Sequence, residues 1–306
     1  MKKNHVLSIS AISFIVILLC GGYWLRTHNT CRAIHYFSGQ KNCEVSRCLL
    51  YGLFPYVDCL TLSKKTLTKE DMRHLRTLAG KIHTLVLIDC STEEYFPEFP
   101  FLDTLVIDCR GIQSSDTQQN FPIKTEILQT LFRSGRLRNV SLTSVPTSVF
   151  SEMRGHFESL KISDSRITDA DFLQISDISG LKSLELINLS NISGVALKIV
   201  ASECSVLETL NVCEVPITDA DISLFSKSTQ LRDLSLRSTP VTRQCLNDLP
   251  QGLWHLDITE TSISSEEISD WIQSCKLTQL RSVQVGGLAL STEVIETFKT
   301  KGIEIL

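Results

Sequence analysis

One frame recurs along this chain and leaves few folds open to it: an apolar residue, two others, an apolar residue, one other, an apolar residue. "LETLNVCEVPITDADI" sets Leu207, Leu210, Val212, Val215 and Ile217 in it, and "LRDLSLRSTPVT" sets Leu231, Leu234, Leu236, Thr239 and Val241. "LWHLDITETSIS" and "LRSVQVGGLALS" repeat it from Leu253 and Leu280; "FESLKISDSRIT", "LKSLELINLSNIS" and "VDCLTLSKKTLT" repeat it from Phe157, Leu181 and Val57. Weaker copies start at Ile82, Leu102 and Leu137. The clear copies at 157, 181, 207, 231, 253 and 280 are separated by steps of 24, 26, 24, 22 and 27 residues. A unit this short cannot bury its apolar face alone and must stack on its neighbours, so the pattern predicts a solenoid.

The frame resembles the leucine-rich repeat L-x-x-L-x-L-x-x-[NCT]-x-[LI], and the resemblance covers roughly residues 57–306. It implies an α/β fold: a horseshoe of about ten repeats with a parallel concave sheet and helices on the convex side. Where many members of that family carry asparagine at the ninth position, this chain has Ser165, Thr239 and Thr261, Cys90 once, and apolar Leu189, Val215 and Leu288. A side-chain asparagine ladder is therefore absent. The T-x-[IV]-T-D style is similar to a bacterial subtype of the family and to the cysteine-containing repeats of F-box proteins. The step from Leu102 to Leu137 is longer and holds polar "GIQSSDTQQN", which reads as a loop or an irregular repeat.

"RITDADF" at 166–172 and "PITDADI" at 216–222 share the pentapeptide ITDAD. Each strand must hand over to a helix, whose first N–H groups lack partners. Thr168 with Asp171, and Thr218 with Asp221, have capping-box spacing: the hydroxyl accepts one orphan N–H and the acid reaches back to another. Ser264 with Glu267 and Thr68 with Asp71 repeat the device at the same place in their units. A D-x-D metal motif at Asp169-Ala170-Asp171 is the competing reading, but capping accounts for the threonine, the acid spacing and the register together.

The first 56 residues differ in kind. A basic n-region, residues 1–5 with Lys2 and Lys3, precedes "VLSISAISFIVILLCGGYWL", residues 6–25, which carries no charged side chain. Twenty such residues are long enough to span a bilayer as a helix, no A-x-A-like exit follows, and Tyr23 and Trp24 fall where an interfacial belt would sit. The expectation is a hydrophobic N-terminal helix acting as an uncleaved membrane anchor, with the repeat domain outside the cytoplasm. A secreted protein is the alternative, and so is a lipoprotein, because Cys20 before Gly21-Gly22 resembles a lipid-attachment cysteine. Residues 26–56 read as a Cys-rich cap or linker. Cys31, Cys43, Cys48 and Cys59 could pair as disulfides in an oxidising compartment, with three pairings open; their C-x11-C-x4-C-x10-C spacing lacks the close pairs of zinc modules.

Enzyme signatures are missing: no H-E-x-x-H, G-x-S-x-G, Walker-type or G-x-G-x-x-G sequence occurs, the seven histidines are scattered, and no cofactor or metal site is foreshadowed. The 42% of hydrophobic residues suffices for a sizeable core, and 30 basic against 34 acidic side chains, without a long run of either sign, argues against a nucleic-acid partner. What remains is the open face of the sheet. Frame positions 2, 3, 5, 7 and 8 should project from it, among them Lys161, Glu185, Glu208, Asn211, Arg232, Asp233, Arg237, His255, Asp257, Arg281 and Gln284. Trp254 beside Arg232, Arg237, His255 and Asp257 has the composition of a protein-binding hot spot, or else packs over a neighbouring side chain. Three functions stay open on sequence alone: a membrane-tethered or exported protein-binding module, a substrate-selecting adaptor or secreted effector of the ubiquitin-ligase-adaptor type, and an enzyme with an unrecognised site. "GIEIL" at 302–306 reads as a last strand whose edge invites self-association.

Overall fold

The computed structural model describes residues 29–50, 54–111, 123, 125–133, 136–175 and 177–306. The n-region, the segment 6–25 and Cys20 lie outside them. Among the described residues no helix is long and apolar enough to cross a membrane.

Twelve strands form one sheet in chain order. They are β1 (Cys43–Leu50), β2 (Phe54–Ser63), β3 (Ile82–Ile88), β4 (Thr104–Asp108), β5 (Asn139–Thr143), β6 (Ser159–Ser163), β7 (Ser183–Ile187), β8 (Thr209–Asn211), β9 (Asp233–Ser235), β10 (His255–Asp257), β11 (Ser282–Gln284) and β12 (Glu304–Ile305). β1 runs antiparallel to β2, and every later pairing is parallel and in register from repeat to repeat. The parallel strands β2 to β11 begin at or within a few residues of the ten frame starts, and the "GIEIL" strand β12 adds an eleventh. The chain is thus the solenoid that the frame implies.

Burial follows the frame because alternate strand residues face opposite sides. At position 4, Leu160, Leu184, Leu210, Leu234, Leu256 and Val283 are all buried, as are Ile162, Leu186, Val212, Leu236, Ile258 and Val285 at position 6. Each such side chain withdrawn from water contributes about 1.5–3 kcal/mol before entropy is charged against it. Phe132, Phe150, Phe172, Phe225 and Phe298 fill the space between the sheet and the outer layer. Strands stack roughly 4.8 Å apart whereas a helix is about 10 Å across, so covering one face with helices bends the sheet and makes its open face concave.

That outer layer is less helical than expected. Helices of two turns or more occur at α1 (residues 29–38), α2 (Lys69–Leu78), α3 (Thr125–Phe132), α5 (Gly194–Glu203), α7 (Ser265–Ser274) and α8 (Thr292–Thr300). Elsewhere it shrinks to the single turns α4 (Asp169–Phe172) and α6 (Asp219–Ser223), or to 3-10 turns at Thr147–Glu152 and Arg243–Asn247. Alternating bulky and slim segments relieves the same mismatch in width. The long step after Leu102 is an irregular repeat with its own strand β4 and helix α3; "GIQSSDTQQN" lies outside the described residues except for Gly111.

All four capping boxes form: Thr68/Asp71, Thr168/Asp171, Thr218/Asp221 and Ser264/Glu267. The first acid of ITDAD has a different task. Asp169 accepts the Ser193 hydroxyl (2.6 Å), the Ser193 amide (3.0 Å) and the Ala196 amide (3.3 Å). Asp219 accepts the Thr242 amide (2.8 Å) and hydroxyl (2.7 Å). Ser193 and Thr242 are the N-caps of the next repeats, so one pentapeptide caps its own helix and staples the following one.

Where an asparagine ladder would run, the backbone supplies another. Frame position 8 is left-handed at Lys64, Asp89, Ser144, Asp164, Asn188, Glu214, Ser238 and Glu260, with φ between 48° and 57°, and at Gly287 with φ 86°. This turns each amide toward the next repeat: Asp164 N donates to Ile187 O (3.1 Å), Asn188 N to Cys213 O (2.9 Å), Glu214 N to Arg237 O (3.0 Å) and Ser238 N to Thr259 O (2.9 Å). At position 9, Thr239 and Thr261 donate only to carbonyls of their own turn.

The described residues 29–50 form regular structure in place of a linker. Helix α1 buries Ala33, Ile34 and Phe37 against the first repeat, and β1 covers the edge of β2. The contact is fixed by Asp71, 1% exposed, which accepts Tyr36 Oη (3.1 Å) and Lys65 Nζ (2.7 Å) on one oxygen and the Thr68 amide and hydroxyl (2.8 Å each) on the other. Burial alone would raise its pKa, but the Lys65 and Thr68 hydrogen bonds prevail and hold it below the ordinary 3.8. Cys31, Cys43 and Cys59 are free thiols; Cys43 pairs with Leu62 across the ladder and Cys59 with Ser46, so those two do not face each other. The side chain of Cys48 is outside the described set.

Candidate functional site

In-register stacking turns each frame position into a row crossing the strands. Row 5 runs Lys161, Glu185, Asn211, Ser235, Asp257, Gln284 on β6 to β11, and row 3 runs Ser159, Ser183, Thr209, Asp233, His255, Ser282. Toward β2 the same rows carry Val86 and Val106 in place of charged groups. The charged part of the open face is therefore concentrated from β6 onward, with threonine, serine and asparagine among the residues before it.

A recess of about 370 Å3 lies there, lined by Thr209, Asn211, Asp233, Ser235, His255, Asp257, Ser282, Gln284 and Leu306. Most of its polar groups hold one another. Ser235 Oγ donates to Asp257 Oδ2 (3.1 Å), Asp257 Oδ1 accepts the Thr259 amide (2.9 Å), and Thr209 Oγ1 donates to Asp233 Oδ2 (3.5 Å); outside the recess, in the same row 5, Lys161 Nζ meets Glu185 Oε2 at 2.9 Å. Asn211 Oδ1 is the exception: it is buried and has no hydrogen-bond partner among the described residues. An orphan acceptor of this kind costs about 1–3 kcal/mol until something donates to it.

Row 3 brings Asp233, His255 and Ser282 together on three neighbouring strands. The imidazole Nδ1 and Ser282 Oγ are 2.7 Å apart, but Asp233 Oδ1 is 3.9 Å from Nε2 and Ser282 is only 5% exposed. A nucleophile assembly needs the base hydrogen-bonded on both sides and the hydroxyl open to substrate. This geometry meets neither condition. Among the described residues no group of three or more His, Cys, Asp or Glu side chains is placed to hold a metal ion. Burial pushes the thiols of Cys109, Cys204 and Cys245 up to about 12, away from thiolate chemistry.

The hot-spot grouping read from sequence divides in space. Trp254 and Arg232 stand in row 2, at the leading end of the strands, whereas Arg237 is five residues further along its strand and turn, on the order of 15 Å away at strand rise, and pairs with Glu260 (3.5 Å). Row 2 alternates in sign: Asp103, Arg138, Glu158, Lys182, Glu208, Arg232, then Trp254 and Arg281. Glu158 takes Arg138 at 2.7 Å and Lys182 at 2.9 Å, and the Lys182 hydrogen bond holds its carboxyl below the usual range. In the place where the next acid would fall, the Trp254 ring lies between two guanidiniums, 5.3 Å from Arg232 and 4.0 Å from Arg281, and its Nε1 donates to Gln279 (3.2 Å). The electron-rich ring face substitutes for a carboxylate.

Arg232 is further committed to the backbone. Its Nη1 donates to Thr229 O and Gly252 O, each at 2.9 Å, and a Cβ at residue 252 would run into that guanidinium. Trp254 and Arg232 thus brace the repeats, while Glu185, Asp257 and His255 remain on the open face with Asn211 and Asp233. Glu208 stays exposed in row 2. Asn211 was legible only as one open-face residue among many; its register beside Ser235, with Asp257 one strand further on, comes from stacking.

No family model and no curated protein matches the chain. Among solved structures it is similar to TLR13, in the crystal structure of a TLR13–ssRNA13 complex, at 16% sequence identity with a TM-score of 0.48. The match covers 81% of this chain and 35% of that one, so the chain spans about a third of the length of TLR13.

Proposed function

We propose that this protein is an interaction module, tethered to a membrane through residues 6–25, whose repeats bind another protein on the concave face of β7 to β11 outside the cytoplasm. The observation that carries the reading is the recess around Asn211. Its buried oxygen has no donor among the described residues, and the carboxylates of Asp233 and Asp257 stand on the next two strands, so the surface is rich in hydrogen-bond acceptors. A partner segment that presents lysine, arginine or amide groups supplies the donors. Polar side chains with few apolar ones suit a protein surface better than a lipid. The tether rests on the uncharged stretch 6–25 behind Lys2 and Lys3.

Two experiments test this. A photo-crosslinking amino acid in place of Gln284, at the rim of the recess, should give a discrete adduct in cells, and the same probe in place of Lys227 on the outer layer should not. Equal adducts from both would sink the concave-face reading. Protease shaving of intact cells should release peptides from 57–306 and leave 6–25 in the membrane; protected repeats would remove the tether and direct the search to a cytosolic or host partner.

A further inference from the structure

A second recess, of about 680 Å3, lies off the concave face, beneath row 2, where the connections leading into four successive strands line up. Arg133 and Arg136 come from the segment before β5, Arg154 and His156 from the one before β6, and Arg138 and Lys182 from the row above; Phe132, Leu137 and Phe157 form the apolar part. Its charge is one-sided. Five permanent cations face one lining carboxylate, Glu158, which Arg138 and Lys182 already share, while His156 is paired with Asp177. Among the described residues no acid pairs with Arg133, Arg136 or Arg154: Arg136 lies over the Phe101 ring at 5.1 Å, Arg133 reaches Gln129, and Arg154 reaches two backbone carbonyls. In a chain of net charge −4 this concentration calls for a counter-charge.

We propose that this recess is a docking site for a short acidic protein segment carrying an apolar side chain, separate from the concave face and independent of what binds there. Three observations favour that occupant. Guanidinium forks match carboxylates in two-point geometry. Val206 on the rim is 40% exposed, so the site also offers apolar surface that a bare phosphate would not use. The positive charge is bounded: along row 2 Asp103 precedes Arg138 and Glu208 follows Lys182, so a long polyanion lying along this edge meets like charge on both sides.

Fluorescence polarisation with the full chain in an uncharged detergent tests it. The probe is a labelled peptide alternating glutamate with leucine, with its glutamine counterpart as control and a thymidine oligonucleotide as competitor. The expected result is salt-sensitive binding of the glutamate peptide, about tenfold or more weaker for the glutamine peptide, and a loss of about tenfold in the double variant Arg133→Glu/Arg136→Glu. The double variant Arg76→Glu/Lys227→Glu on the outer layer, which makes the same charge change outside the recess, should stay within about twofold. Both arginines are exposed, circular dichroism checks that the fold is kept, and Arg136→Gln alone gives a milder variant with a smaller loss in the same direction. Absence of binding, binding indifferent to the double variant, or an oligonucleotide that outcompetes the peptide through the same arginines would each overturn the proposal.

Discussion

The two ends of this solenoid are held by different means. At the N-terminal end β2 is ten residues long, with an antiparallel partner on one side and a parallel one on the other, and α1 is pinned by a single buried carboxylate, Asp71. From β6 onward the strands shorten, to three residues each from β8 to β11, and cohesion is spread over small repeated devices: the Asp169 and Asp219 staples, the left-handed position-8 amides and the alternating row 2. The first repeat carries α1 and β1, not another repeat, on its outer side, so its closure rests on a few strong contacts, while the repeats from β6 onward share theirs. The shared devices sit in turns and on the outer layer, which leaves rows 3 and 5 of the C-terminal repeats outside the stapling.

The largest expected effect comes from breaking the concentrated end. Asp71→Ala leaves Lys65, Tyr36 and the Thr68 cap without their common acceptor, a loss of about 3–5 kcal/mol for a broken buried pair. Hydrogen exchange should show α1 and β1 opening while β8 to β11 keep their protection; uniform loss along the chain would break the contrast. The same contact carries a pH signature. The folded pKa of Asp71 lies below its ordinary 3.8, so the stabilisation is fully present above about pH 4 and is lost as pH falls through the folded value. In acid titration α1 should therefore open first, and a wild-type chain whose N-terminal end shows no such step would contradict the assignment.

Breaking one distributed device should cost less and stay local. Asp169→Ala removes three hydrogen bonds to the start of α5, about 1–3 kcal/mol, read out as faster exchange in α5 with α1 unchanged. Below it ranks Gly194→Ala. A Cβ there would meet the Asp221 carboxylate, which is held by the Thr218 amide and hydroxyl at 2.8 Å each, so the methyl must dislodge a cap worth about 1 kcal/mol. Chemical denaturation of this variant alongside Thr218→Ala checks the ascription: if the cap is what the methyl breaks, the double variant loses little more than either single one.

Much of this was legible in the sequence because the frame is periodic. Leu210 and Val212 had to face inward, Thr168 and Thr218 had to start helices, and Asn211, Asp233 and Asp257 had to share one face. The remainder depends on distances between repeats that a period does not encode. Asp169 and Asp171 sit in the same pentapeptide, yet only stacking sends the first of them to Ser193. Trp254 looked like a member of Arg237's group because both belong to strand segments, but row position separates them. The basic recess is not legible in the sequence, because Arg133, Arg136 and Arg154 lie between frames, where no pattern aligns them with Arg138 and Lys182. The left-handed turn does leave a trace in the sequence: position 8 is polar or glycine in every clear repeat, from Lys64 through Asn188 to Gly287.

That position gives the smallest and sharpest test. Glu214 is exposed, holds φ at 54° and donates its amide to Arg237 O, so its side chain can be changed while its ladder bond is kept. Asparagine tolerates the left-handed region better than glutamate, and Glu214→Asn should stabilise the chain by a few tenths of a kcal/mol, up to about 0.5. Valine crowds it, and Glu214→Val should destabilise by about 1–2 kcal/mol. The opposite signs matter more than either size, because a lost side-chain contact would make both variants destabilising. Repeating the pair at Lys64, whose φ is 48°, asks whether the backbone ladder works alike at both ends. Equal responses would place the whole difference between the ends in Asp71 and the two-sided pairing of β2; a muted response at Lys64 would mean that the long strand there already over-determines the turn.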